Sequence, residues 1–151
     1  MRPVVTYGLG VGAVAVVVFV LFVAFVSGVG GLYTHDHGTL EVSIDGERID
    51  FDQPQYHDRH PTFHFHEGGG QEWHHHPESP LAVLEFERLS VAEALGTLEI
   101  DVTDSSVTID GRIYEDGEPG TTVSITVDGE PADPDAHLLQ DGDDVVLEVV
   151  S

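Results

Sequence analysis

The chain has 151 residues, with 28 acidic residues against five lysines and arginines, and its formal net charge is −23. This charge argues against binding nucleic acid or an anionic membrane surface, because neutralising phosphates requires Lys and Arg. No cysteine is present, which excludes a lipid-modified lipoprotein and a thiol nucleophile.

The N-terminal residues predict a membrane anchor. No charged residue occurs from Pro3 to Tyr33, and the segment is long enough to cross about 30 Å of hydrocarbon as a helix. Its apolar part exceeds the usual signal-peptide core of about 7–15 residues, although a cleaved signal peptide remains the alternative. Since Arg2 precedes the segment, the positive-inside rule places the rest of the chain outside the cell. We therefore expect an anchor at residues 1–33, a short linker at residues 34–38 and an extracytoplasmic domain at residues 39–151.

Alternating apolar residues after the linker predict short strands joined by tight turns. Residues 40–44 alternate in this way, and a two-residue turn would place Val42 opposite Ile49 and Leu40 opposite Phe51. Three Asp-Gly turns of this kind are predicted, at Asp45-Gly46, Asp110-Gly111 and Asp128-Gly129. A final strand is predicted over residues 145–150.

One short helix is predicted near the middle of the domain. Ser90 precedes Glu93 by the spacing of a capping box, and Val91, Leu95 and Leu98 recur at helical intervals. The predicted class is therefore α+β. It consists of an N-terminal transmembrane helix followed by a mainly antiparallel β domain with one short helix.

Two His-x-His pairs flank a turn-forming segment at residues 67–72. The pairs are His64/His66 and His74/His76. Side chains two positions apart on a strand share a face, and a three-residue turn at residues 68–70 would place His64 opposite His74. The sequence therefore predicts four imidazoles on one face of a hairpin. A different turn length would split the cluster between both faces.

The opposite face of this hairpin is predicted to be apolar. Phe63, Phe65 and Trp73 would lie on it and contribute to the core. His75 shares that face and is predicted to be packed or at the rim. His137, far away in the sequence, is predicted to be structural or solvated.

Clustered neutral imidazoles predict a site for a divalent transition metal, copper or zinc. The predicted ligands are His35, His37, His64, His66, His74 and His76. His57 and His60 are further candidates in a loop, and Glu67 or Glu72 could supply an oxygen. The alternative is an exposed polar face on which histidine replaces the lysine that this chain lacks. The acidic turns do not match a calcium-binding loop.

No catalytic residues are predicted, because the chain contains no G-x-S-x-G motif and no phosphate-binding loop. The predicted function is capture, buffering or transfer of copper or zinc at the cell surface, by a protein held in the membrane through its helix. Two alternatives remain open. One is a domain that binds another, unidentified envelope protein without metal, and the other is a metal-assisted hydrolase.

Two resemblances concern the layout. The segment from Val127 to Val145, with its Asp141-Gly142-Asp143 turn, resembles the closing part of β-grasp domains of the sulfur-carrier kind. The anchor, His35-Asp36-His37 and the two His-x-His pairs around a Gly-rich turn resemble a group of membrane-anchored, His-rich archaeal proteins without an assigned activity. The acidic, lysine-free composition is similar to that of haloarchaeal proteins. These resemblances imply a fold, a layout and a salt-adapted cell, but no reaction.

Overall fold

The computed structural model describes residues 16–19, 35–79, 82 and 85–151. Residues 16–19 are helical. Apart from these, the predicted anchor lies outside the described residues. Within the described part of the chain, no helix is long and apolar enough to cross a membrane. Contacts between residues define Thr34–Ser151 as one compact unit.

This unit is built mainly of β-strands, with one short helix. The strands are β1 (Asp36–Ile44), β2 (Glu47–Arg48), β3 (Phe63–Phe65), β4 (Glu72–His75), β5 (Asp101–Val102), β6 (Ser106–Ile109), β7 (Arg112–Glu115), β8 (Thr122–Val127), β9 (Glu130–Pro131) and β10 (Asp144–Val150). The α-helix, α1, spans Val91–Thr97, and a 3₁₀ turn spans Pro54–Tyr56. The predicted α+β class is therefore confirmed.

The larger sheet has the order β3-β4-β1-β10-β8-β9, and β2 also pairs with β1. The central pair, β1 and β10, is parallel, with Leu40 opposite Val145. Every other strand pair described in the two sheets is antiparallel. Strands β5, β6 and β7 form a second, three-stranded sheet. The prediction of a mainly antiparallel domain is thus confirmed, with a parallel pair at its centre.

Strand β1 begins earlier than the sequence indicated. The segment at residues 34–38 was expected to be a linker, but Asp36, His37 and Gly38 pair with β4. The partner strand lies more than thirty residues away in the sequence. Local patterning could not reveal this pairing, which supplies the backbone hydrogen bonds that make the segment a strand.

All three predicted Asp-Gly turns are present. Their residues have positive φ angles: Asp45 52° and Gly46 81°, Asp110 50° and Gly111 74°, and Asp128 53° and Gly129 79°. Two positive φ angles define the turn that matches the twist of a hairpin. Ile49 N–H donates to Val42 O at 2.9 Å, which confirms the predicted pairing. Strand β2, however, ends at Arg48, and the predicted pairing of Leu40 with Phe51 is wrong, because Leu40 N–H donates to Gln71 O instead.

The helix packs on one face of the larger sheet and caps the core. Ser90 and Glu93 form the predicted capping box, each side chain accepting from the other residue's backbone N–H. Val91 and Leu95 are buried on the helix face that meets Trp73. The core therefore lies on the α1 side of the sheet, and the opposite side of β1, β3 and β4 is free to carry polar side chains.

Candidate metal site

The register of the β3–β4 hairpin is the one that the sequence predicted. The pairs are Phe63 with His75, His64 with His74, and Phe65 with Trp73. Gly69 N–H donates to His66 O at 3.0 Å, and Glu72 N–H donates to Gly69 O at 3.2 Å, which closes the turn. His64 and His74 therefore lie opposite each other on one face.

The other face of the hairpin is buried, as predicted. Phe63, Phe65 and Trp73 are each at most 1% exposed. His75 is 0% exposed; its Nδ1 lies 2.7 Å from Thr62 O, and Leu89 N–H donates to its Nε2 at 3.1 Å. Burial lowers the pKa of His75 below 6.5. This histidine is therefore a neutral, packed core residue.

A third strand extends the histidine face. Strand β1 lies beside β4, with His37 opposite His74. His37, His74 and His64 thus form a row across three adjacent strands, and the His35 ring stacks on the His37 ring at 4.7 Å. The six predicted ligands, His35, His37, His64, His66, His74 and His76, make contact through their rings on this face. We call this surface the histidine face.

One group on the histidine face consists of His35, His37 and His74. Each residue offers a ring nitrogen, and these nitrogens lie within 4.8 Å of one another. His35 Nε2 is 3.3 Å from His74 Nδ1. Two nitrogens bound to a tetrahedral ion, each at about 2.0–2.1 Å, lie about 3.3 Å apart. The spacing of this pair therefore fits a shared ion.

His76 lies next to this group. Its ring is 4.7 Å from the His35 ring, and its Nδ1 donates to Pro77 O at 2.8 Å. A hydrogen bond from one ring nitrogen to a carbonyl orients a histidine and leaves the other nitrogen available to a metal. His76 is thus a candidate fourth ligand, although its ring nitrogens are not among those that lie within 4.8 Å of one another in this group.

A second group consists of Asp58, His64 and His66, whose ligand atoms also lie within 4.8 Å of one another. Asp58 is not among the ligands predicted from the sequence. It precedes β3 in a loop and has a φ of 49°, a left-handed conformation that Asp tolerates better than most residues. Nothing local in the sequence indicated that this loop folds back toward His64. The structure thus divides the four hairpin histidines: His74 groups with His35 and His37, His64 and His66 group with Asp58, and His76 belongs to neither group.

Burial, together with crowding, lowers the pKa values of three imidazoles on the histidine face: His35, His64 and His74. Desolvation, followed by the neighbouring His66, His37 and His35 rings, lowers the pKa of His74 to about 4. Desolvation also lowers the pKa values of His35 and His64. A neutral imidazole keeps the lone pair that a metal needs. These three side chains are therefore available as ligands at neutral pH.

The remaining sequence candidates lie outside both groups. His60 Nδ1 contacts Thr62 Oγ1 at 3.0 Å, and His57 is 3.9 Å from Asp52 Oδ1. Among the described residues, Glu67 and Glu72 join no group of potential ligands. His137 Nε2 lies 2.8 Å from Asp143 Oδ2, so this histidine has a structural contact, as predicted.

An ion pair with one buried member holds the start of β1, which carries His37 and directly follows His35. Asp36, between them, points to the opposite face of β1, where its side chain is 7% exposed and lies 2.8 Å from Arg88 Nη1. Arg88 also donates to Leu139 O at 2.6 Å. This pair ties the start of β1 to the core side of the sheet and directs the flanking imidazoles to the histidine face.

The arrangement can bind soft or borderline divalent cations through several imidazoles and one carboxylate. Its donors come from three strands and a loop, so the groups exist only in the folded chain.

No protein-family model, no curated protein and no solved structure matches this chain.

Proposed function

We propose that this is a membrane-anchored cell-surface protein that binds a divalent transition metal, copper or zinc, through His35, His37 and His74. The observation that carries the proposal is the convergence of three ring nitrogens within 4.8 Å, including the 3.3 Å spacing between His35 and His74. The donors come from two strands whose pairing is fixed by the sheet. Little rearrangement is needed to close them around an ion.

The surroundings of this group favour capture, buffering and transfer over catalysis. A catalytic ion keeps an open position, whereas a closed set of four ligands holds the ion without activating water. His76 lies beside His35, and its Nδ1 donates to Pro77 O, which leaves its Nε2 available to an ion. A fourth imidazole is therefore close to the group formed by His35, His37 and His74. A metal-assisted hydrolase is the second candidate, because three ligands from this group alone would leave a position open.

The location and the fold family are also part of the proposal. The charge-free segment from Pro3 to Tyr33 supports an anchor, with the domain outside the cell. The central parallel pair of β1 and β10, with α1 on one face, supports a β-grasp-like domain. The acidic, lysine-free composition supports a salt-adapted cell.

Calorimetric titration of the full-length chain in detergent with Zn(II), and separately with Cu(II), tests the proposal. We expect submicromolar affinity, and we expect His37→Ala and His74→Ala each to weaken binding at this group of three histidines by about a hundredfold or more. His137→Gln is the matched control, because His137 contacts Asp143 away from the histidine face. Unchanged binding in both site variants would overturn the proposal.

The hydrolase alternative is tested on the same metal-loaded chain. Turnover of an activated ester or phosphodiester that disappears in His37→Ala, and that depends on the ion, would support it. Stable binding without turnover would support capture and transfer.

A further inference from the structure

We infer that the histidine face holds a second metal ion, bound by Asp58, His64 and His66 at a site that shares none of the three ligands proposed above. The three donor atoms lie within 4.8 Å of one another. His64 and His66 are two residues apart on the same face of the chain, with ring centroids 4.8 Å apart. Asp58 approaches the pair from a different segment, so the donors surround a common point.

The surroundings of His64 resemble those of a metal ligand. Its side chain is buried, at 7% exposure, and one of its ring nitrogens lies within 4.8 Å of an Asp58 carboxylate oxygen. Burial restricts the orientations of the ring, so little side-chain freedom is lost when that nitrogen binds an ion.

The loop that carries Asp58 is held on both sides. On one side, the backbone of His57 bridges to Phe65 in β3. On the other, Arg59 forms an ion pair with Glu99. The carboxylate is therefore presented to the histidine face by a fixed segment, which reduces the entropy lost when an ion binds.

The two sites differ in donor chemistry. An all-imidazole group suits Cu(II), Ni(II) and Zn(II), whereas replacing one imidazole by a carboxylate gives a donor set that also accommodates harder ions such as Fe(II) and Mn(II). The carboxylate cancels one charge of the bound cation. We therefore expect the Asp58 site to discriminate less strongly for copper than the site at His35, His37 and His74.

The two ions would affect each other. The His66 and His74 rings, one from each site, are 4.4 Å apart, and with metal–nitrogen bonds of about 2 Å the ions would lie roughly 5–8 Å apart. Two divalent cations at this distance repel each other appreciably even in water. We expect the second ion to bind about tenfold more weakly than the first.

Native mass spectrometry and calorimetry of the full-length chain with Zn(II) test the inference. We expect two ions to bind in unequal steps to the unaltered chain. Asp58→Asn, His66→Ala and His37→Ala should each leave one ion, and Asp58→Asn combined with His37→Ala should leave none. The matched control is Asp104→Asn, which removes an exposed carboxylate between β5 and β6 of the smaller sheet that belongs to neither group of ligands, and this variant should still bind two ions. Thermal melts of each metal-free variant verify folding.

The outcomes separate this inference from the proposed function. One ion that is lost in His37→Ala but kept in Asp58→Asn and His66→Ala would overturn the second site and leave the first standing. One ion lost in all three variants would mean a single shared site and would also overturn the inference. One ion lost in Asp58→Asn and His66→Ala but kept in His37→Ala would support the Asp58 site and refute the proposed function. No bound ion would refute both.

Discussion

The Nε2 atom of His35 lies 3.3 Å from the Nδ1 atom of His74, although the two residues are 39 positions apart in the chain. Only the pairing of β1 with β4 brings them together. In an unfolded chain, a loop of this length would have to be closed before both could bind one ion. An ion held by this pair therefore binds the folded state in preference to the unfolded state.

This preference predicts that Zn(II) stabilises the domain. At free metal about a hundredfold above the dissociation constant, the free energy of unfolding should rise by about 2.7 kcal/mol. The measurement is denaturant unfolding of the full-length chain with Zn(II) and with a chelator. In His37→Ala the gain should shrink, because the site then lacks a ligand. A gain as large in that variant as in the unaltered chain would show that the ion stabilises the domain from elsewhere.

A second prediction concerns Gly38, where β1 passes beneath the core tryptophan. A Cβ at this position would overlap the Trp73 ring and the Asp143 carbonyl oxygen, and both are buried. Gly38→Ala should therefore lower the free energy of unfolding by about 1–3 kcal/mol. It should also weaken metal binding, because β1 carries His37 and directly follows His35.

The matched control is Gly96→Ala. Gly96 is exposed in α1, and a Cβ there would meet nothing within 4 Å. Alanine favours a helix over glycine by about 1 kcal/mol, so this variant should be more stable. Equal effects of the two substitutions on unfolding would contradict the role assigned to Gly38.

Several features of the site could be predicted from the sequence because they depend on local chemistry. The glycines at residues 68–70 and the alternation around them predict the register of His64 and His74 on the condition that the turn has three residues, and the structure confirms that register. Asp58 could not be predicted, because its position depends on a loop that folds back onto β3. The division of the histidines into two groups could not be predicted either, since it requires β1 to pair with β4 from its first residues.

The extent of β2 illustrates the same limit. The Asp45-Gly46 turn chemistry correctly predicts the hairpin, but the strand ends at Arg48 because Leu40 N–H donates to Gln71 O instead. Phe51 then leaves the ladder and stacks on Phe65, with ring centroids 4.8 Å apart. A turn therefore fixes the register near itself, while competition from a distant segment decides how far the pairing extends.

A third prediction concerns the ion pair between Asp36 and Arg88. Arg88→Met would leave the buried Asp36 carboxylate uncompensated, and the free energy of unfolding should fall by about 3 kcal/mol or more. Arg48→Met is the matched control, because Arg48 pairs with Glu41 at an exposed position, and it should cost at most about 0.5 kcal/mol. Chemical denaturation of both variants provides the comparison.

The double variant Asp36→Asn with Arg88→Met checks that the effect is electrostatic. Removing both charges should recover much of the lost stability, because no buried charge is then left without a partner. Asp36→Asn and Arg88→Met are also measured singly. If the double variant lost as much stability as these two single variants added together, packing of the Arg88 side chain would be the cause.

The fourth prediction is the pH dependence of the metal-free domain. In the folded chain, burial lowers the pKa of His75 below the value of 6.5 that it has when exposed. The unfolded chain therefore binds more protons as the pH falls through 6.5, and stability is lost in that direction. At pH 7.5 the neutral His75 imidazole makes its full contribution to the free energy of unfolding, and at pH 5 part of that contribution is lost.

His75→Gln isolates this contribution, because an amide offers a donor for Thr62 O and an acceptor for Leu89 N–H but does not titrate. We expect the unaltered chain to lose more stability than His75→Gln between pH 7.5 and pH 5, measured by denaturant unfolding with a chelator. His35, His64 and His74, whose pKa values are also lowered in the folded state, act in the same direction but are common to both proteins and cancel in the difference. Parallel pH profiles would show that His75 is protonated equally in the folded and unfolded states, contrary to its buried position between Thr62 and Leu89.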